Sequence, residues 1–119
     1  MAQEDLRRKV DLAFLAAFYG GLLTENQRRI LSLHCEEDFS LSEIAAEMGS
    51  SRQAVHESLN RAAARLTETE ARLGAAARYR ELEAGLEDAL SALDRKDYSR
   101  ARSVISRLLR LEQEDQDGL

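Results

Sequence analysis

The chain has 119 residues, a formal net charge of −5, a single cysteine and no proline. That length suits one domain able to bury a core without staples, and the lone Cys35 excludes an internal disulfide framework. No apolar run is long enough to span a bilayer, the N-terminus MAQEDLRRKV lacks a signal-peptide core, and the acidic balance argues against non-specific coating of DNA. A cytoplasmic protein without membrane insertion is the economical reading.

Abundant Ala, Leu, Glu and Arg favour helices throughout. Residues 5–19 carry apolar positions at Leu6, Val10, Ala13, Phe14, Ala17 and Phe18, a helical stripe that Gly20-Gly21 ends. Thr24 followed by Gln27 has the form of a capping box and predicts a second helix, with Ile30, Leu31, Leu33 and Cys35 among its apolar residues. The acidic run Glu36-Glu37-Asp38 reads as a loop. Ser40 with Glu43 repeats the box before a third helix, and Ser50 with Gln53 offers it again before a fourth. Leu59, Ala62, Leu66, Thr69 and Leu73 extend that fourth helix to about residue 72, with Gly74 as its break. Tyr79, Leu82, Leu86, Ala89 or Leu90, and Leu93 form the seam of a fifth helix. Residues 94–97 are a turn, and Ala101, Val104, Ile105, Leu108 and Leu111 mark a sixth helix before an acidic tail. The predicted fold class is therefore all-α with about six helices. A helix-turn-helix unit spans residues 1–73, a C-terminal hairpin spans 74–112 and covers either that unit or a second subunit, and a fraying tail occupies 113–119.

Function is most legible between Ser40 and Arg61. Leu41, Ile44, Ala45 and Met48 share one helical face, Gly49 interrupts it, and Val55 with Leu59 restart it. Ala45 is the small residue needed where two helices cross closely, and Gly49 can take the positive φ that a sharp turn requires. This is the helix-turn-helix pattern, whose second helix is the reading element. Ser51, Arg52, Gln53, His56, Asn60, Arg61 and Arg65 are the candidate nucleic-acid-binding residues. Arg52 and Gln53 stand near the helix N-terminus, the end that enters a groove, and Arg61 and Arg65 farther along would meet phosphates. Residues 24–49 hold two arginines against six carboxylates, whereas 50–72 hold four against three, so the reader is only slightly cationic.

The layout of LLTENQRRILSLHCEEDFSLSEIAAEMGSSRQAV resembles region 4 of the bacterial sigma factors. A closer likeness is to the YlxM family of small bacterial helix-turn-helix proteins, carried by LAFLAAFYGGLLT, DFSLSEIA and SRQAV. The likeness is strongest from Phe14 to Arg61 and fades beyond residue 75. It implies a regulatory protein of the signal recognition particle (SRP) pathway, because genes of that family tend to lie beside those of the SRP GTPases. The implied partners are DNA or SRP RNA, and the GTPase components of SRP. Three positions depart from the family's pattern. Ser50 stands where an apolar residue usually packs, His56 where an aromatic one is commoner, and Asn60 where a basic one is common.

The remaining features have plainer readings. His34 and Cys35 are adjacent on a helix, point in different directions and have no further ligand at metal spacing, so Cys35 reads as a small buried hydrophobe. The 36–38 carboxylates lack the alternation of a cation loop. Arg100, Arg102, Arg107 and Arg110 line the outer face of the last helix. Nothing resembles a catalytic constellation or a cofactor site, and no enzyme activity is expected. The apolar seams at Leu59–Leu73 and Tyr79–Leu93 predict a homodimer. The function classes that stay open are an SRP-pathway regulator, a DNA-reading transcription regulator, and a protein-interaction adaptor that uses the motif as scaffold.

Overall fold

The computed structural model describes residues 2–117 and the side chains of residues 3–111. Among the described residues six α-helices follow one another: α1 (Ala2–Tyr19), α2 (Glu25–Cys35), α3 (Leu41–Met48), α4 (Arg52–Leu73), α5 (Ala75–Asp94) and α6 (Tyr98–Asp117). A 3₁₀ turn, Gly20–Leu22, joins α1 to α2. Among the described residues there is no strand. The chain divides into two compact units, Met1–Ala76 and Ala77–Leu119. The acidic tail expected from residue 113 lies outside the described side chains.

The helix boundaries follow from local chemistry. Thr24 Oγ1 accepts the Gln27 N–H, and the Gln27 side chain accepts the Thr24 N–H in return, which closes the first capping box. Ser40 and Glu43 do the same for α3. These reciprocal bonds to Ser40 also hold the Glu43 carboxyl below the usual range. The third box is not formed. Ser51, not Ser50, caps α4, because the Ser50 N–H is taken by the Ala45 carbonyl as α3 closes. Three residues beyond Ser51 stands Ala54, which has no side chain to reach back, so only half of the motif exists.

The first unit is built around Ile30, Leu31, Ile44, Val55, Leu59 and Leu66, with Leu23, Tyr19 and Ala76 closing its sides. Full burial of each large aliphatic is worth about 1.5–3 kcal/mol. The predicted α1 stripe is rotated relative to the real one. Leu12 and Tyr19 are buried, while Leu6, Val10 and Phe18 are exposed. The cause is Tyr19, whose ring enters the core while its hydroxyl donates to Glu70 Oε1 at 2.6 Å. The same oxygen accepts the Ala76 N–H at 3.0 Å, so the core extends just past Gly74. Cys35 is half-buried against this core rather than wholly inside it, and burial pushes its thiol up. Lys9 forms an ion pair with Asp38, tying α1 to the acidic loop.

The second unit is an antiparallel hairpin, with Leu82, Ala89, Val104 and Leu108 in its core. Ala92 and Ala101 are also buried. The expected leucine seam of α5 is therefore only partly inside, and Leu86, Leu90 and Leu93 remain exposed. The reason is close helix approach: a Cβ on Gly85 would sit 2.6 Å from Leu108 Cδ2, so small residues form the contact line. Arg100 pairs with Asp88 at 2.8 Å, so this arginine is engaged within the hairpin rather than simply facing outward.

Candidate nucleic-acid interface

Three pieces position α4, the candidate reading helix. Gly49 adopts φ 64°, ψ 37°, the left-handed turn that ends α3. Its N–H and that of Ser50 both reach the Ala45 carbonyl, which fixes the exit direction of the chain. Ile44 and Ala45 of α3 then bury against Val55 and Leu59 of α4. The small Ala45 side chain admits the crossing helix, and the result is a helix-turn-helix with α4 as its second helix.

Every candidate residue on α4 is exposed. Ser51 is the exception in role: its Oγ accepts the Ala54 N–H at 3.0 Å, so its side chain serves the helix end. Arg52 and Gln53 occupy the first turn, which contains no carboxylate. Unpaired backbone N–H groups at such an end favour anions. Asn60 Nδ2 donates to His56 Nε2 at 3.1 Å, joining these two side chains on consecutive turns.

The set does not share one face. At roughly 100° per residue, His56 and Arg65 point about 180° apart around α4. A partner facing Gln53 and Asn60 reaches Arg52 on one side and Arg61 on the other, whereas Arg65 is turned farther away. Glu57 lies within the same sector and reduces its positive charge.

The structure adds two residues that the motif alone did not suggest. Arg8 and Lys9 of α1 line a recess of about 390 Å³ together with His34, His56, Asn60 and Asp5. The basic run Arg7-Arg8-Lys9 is visible in the sequence, but its meeting with α4 is not. Burial, aided by Lys9, holds the His34 imidazole below its ordinary range. Its Nδ1 finds no hydrogen-bond partner among the described residues. A second, shallower recess is lined by Leu41, Arg52, Gln53 and His56. Among the described residues no group of three metal-ligating side chains is assembled. No described helix is long and apolar enough to cross a membrane.

Residues 6–105 match the family described as "Putative helix-turn-helix protein, YlxM / p13 like". The chain belongs to the YlxM/p13-like helix-turn-helix family. Curated relatives agree over most of their length. The UPF0122 protein STH1464 of Symbiobacterium thermophilum is 45% identical over 97 residues, covering 82% of this chain and 91% of the relative. A UPF0122 protein of Exiguobacterium sibiricum is 43% identical over 99 residues, covering 83% and 91%. BH2485 of Halalkalibacterium halodurans is 38% identical over 91 residues, covering 76% and 84%. The helix-turn-helix geometry around Gly49 agrees with that family's description.

Proposed function

We propose that the protein is a regulatory, nucleic-acid-binding helix-turn-helix protein of the SRP pathway, acting on SRP RNA or on the SRP GTPase as a homodimer. The observation that carries this reading is the accessible first turn of α4, where Arg52 and Gln53 project beside a carboxylate-free helix end. Arg8 on α1 lines the recess that His56 and Asn60 share, whereas Lys9 there is paired with Asp38. The SRP assignment rests on kinship with the YlxM family, and the dimer on apolar side chains left uncovered on α5 and α6. The same helix end favours a second reading, a transcription regulator placing Arg52 and Gln53 in a DNA major groove.

Fluorescence anisotropy with SRP RNA and with duplex DNA, each at two salt concentrations, separates these readings. Arg52→Ala and Arg61→Ala should each weaken RNA binding several-fold and reduce the salt slope by about 1. Unchanged affinities and slopes in both variants would refute the reader. Tighter, sequence-dependent binding to duplex DNA would transfer the assignment to transcription. Binding of purified SRP GTPase without any nucleic acid would leave the adaptor reading.

A further inference from the structure

The recess of about 390 Å³ beside the candidate reading helix is built from two matching strips. Asp5, Arg8, Lys9 and Leu12 line it from α1, and His56, Leu59, Asn60 and Ala63 line it from α4. Each strip advances by three, one and three residues, which keeps its members on one helix face. Depth and mouth differ in chemistry. Leu12, Leu59 and Ala63 are buried and make an apolar floor, whereas Asp5, Arg8, His56 and Asn60 stand exposed at the rim. His34 of α2 adds a polar group at depth, because its Nδ1 is buried and has no hydrogen-bond partner among the described residues. A concave site of roughly 300–1,000 Å³ with an apolar body and a few polar groups is the usual form of a small-molecule pocket.

The rim favours an anion. Lys9 is occupied by Asp38, but Arg8 has no ion-pair partner among the described residues, so its planar fork is open to two-point contact with an oxyanion. Asn60 Nδ2 gives one N–H to His56 and keeps a second. At the base, burial and then Lys9 and Arg8 hold the His34 imidazole below its ordinary range against the opposing pull of Asp38, so the local field is positive. Asp5 opposes it from the rim. We propose that this recess binds a small organic anion. Its carboxylate or phosphate is held by Arg8 and Asn60, and its apolar body lies on Leu12, Leu59 and Ala63. A backbone phosphate of a nucleic acid would use the same cation but has no apolar body for that floor, so the floor singles out the small molecule. His56 and Asn60 also belong to the candidate nucleic-acid face, so the bound anion competes there and makes the reader sensitive to an effector. That competition rests on the proposed function, whereas occupancy of the recess does not.

Titration of the full chain with phenylacetate and with phenyl phosphate at fixed pH, followed through histidine ring signals in nuclear magnetic resonance, tests the site. The chain's two histidines, His34 and His56, both line the recess, so every histidine signal is a reporter. The anions should shift both rings with a millimolar Kd, as expected of fragments of about ten non-hydrogen atoms, and the tighter one names the head group. Inorganic phosphate and neutral 2-phenylethanol, which carry the head or the body alone, should each bind at least about tenfold more weakly. Arg8→Ala, at an exposed position, should weaken both anions about tenfold, Arg8→Lys should weaken them less, and Asp5→Asn should tighten them. At matched ionic strength, the tighter anion should raise the apparent Kd for RNA in the parent but not in Arg8→Ala. Silent histidine signals up to tens of millimolar, or equal shifts with 2-phenylethanol, overturn the anion site. Inorganic phosphate binding as tightly as phenyl phosphate overturns the small organic ligand and leaves Arg8 as a nucleic-acid phosphate contact. Unchanged anion affinity in Arg8→Ala overturns the arrangement around that side chain. Anion binding in a protein that binds no nucleic acid refutes the reader and supports the recess.

Discussion

Removing one hydroxyl should measurably loosen the first unit. Tyr19→Phe keeps the buried ring and deletes only the O–H that donates to Glu70 Oε1 at 2.6 Å. A hydrogen bond to a charged group contributes about 1.5–3 kcal/mol. The Tyr19 hydroxyl lies at the margin of the core, and Glu70 retains the Ala76 N–H, so the loss should fall at or below the low end, about 1–1.5 kcal/mol. For a unit of this size that corresponds to a fall of roughly 4–12 °C in melting temperature. Glu70→Ala should cost more, about 2–3 kcal/mol, because it strands both the phenol and the Ala76 N–H. Urea unfolding followed by circular dichroism measures both, and the double variant gives the coupling directly. Additive single effects, or a Tyr19→Phe protein within about 0.3 kcal/mol of the parent, would refute the claim that this carboxylate joins α1, α4 and α5. Burial and then Glu70 hold the phenol above its ordinary range, so the neutral form is favoured in the fold. The contribution accordingly persists through neutral pH and is lost as the phenol ionises in strong alkali.

Two further outcomes follow from packing and protonation. Gly85→Ala places a methyl against Leu108, so a strain of about 1–3 kcal/mol should outweigh the roughly 0.5–1 kcal/mol gained in helix propensity. Thermal melts should show a net loss of about 1 kcal/mol that shrinks when Leu108 is also shortened to Ala, and a Gly85→Ala protein melting above its parent would show that Leu108 moves aside freely. His34 is held below the ordinary imidazole range, so the unfolded chain takes up its proton first as pH falls below about 6.5. Stability should decline from there until the folded-state pKa is passed, ahead of the carboxylate range where Asp38 loses its Lys9 partner. Urea midpoints at about pH 7 and pH 5.5 should differ in the parent and converge in His34→Gln. Equal slopes in both proteins would remove His34 as the cause.

The parts of the fold that were legible in the sequence are those written in short-range chemistry. Thr24 with Gln27 and Ser40 with Glu43 close their boxes within four residues, and Gly49 and Gly74 stop helices because their backbones turn left-handed. The cap stands at Ser51 rather than Ser50 because the Ala45 carbonyl of α3 takes the Ser50 N–H in the same turn. The buried face of α1 is not legible from its own residues because Tyr19 looks like a boundary residue until Glu70, 51 positions away, supplies its partner. In the hairpin, leucine spacing does not mark the contact line: Gly85, Ala89 and Ala92 pack inside because they allow close approach, and the larger residues are displaced to the flank. The candidate interface was legible as residue types but not as a surface. The contribution of Arg8 and Lys9 depends on α1 lying beside α4, and the angular spread of His56, Arg61 and Arg65 depends on the continuous helix that carries them.

That continuity has a mechanical consequence. Arg52 and Glu70 sit on one unbroken helix, separated by about 27 Å of axial rise. Stiff along its axis, seated in the core by Val55, Leu59 and Leu66 and held near its far end by Tyr19, α4 behaves as a rigid rod with its tip at the candidate reading turn. A pivot of only 5° at the pinned end would sweep Arg52 through about 2 Å, most of a hydrogen-bond length. The aim of the candidate reading turn is thus set jointly by Val55 and Leu59 seated in the core beside it and by Tyr19 near the far end of the helix.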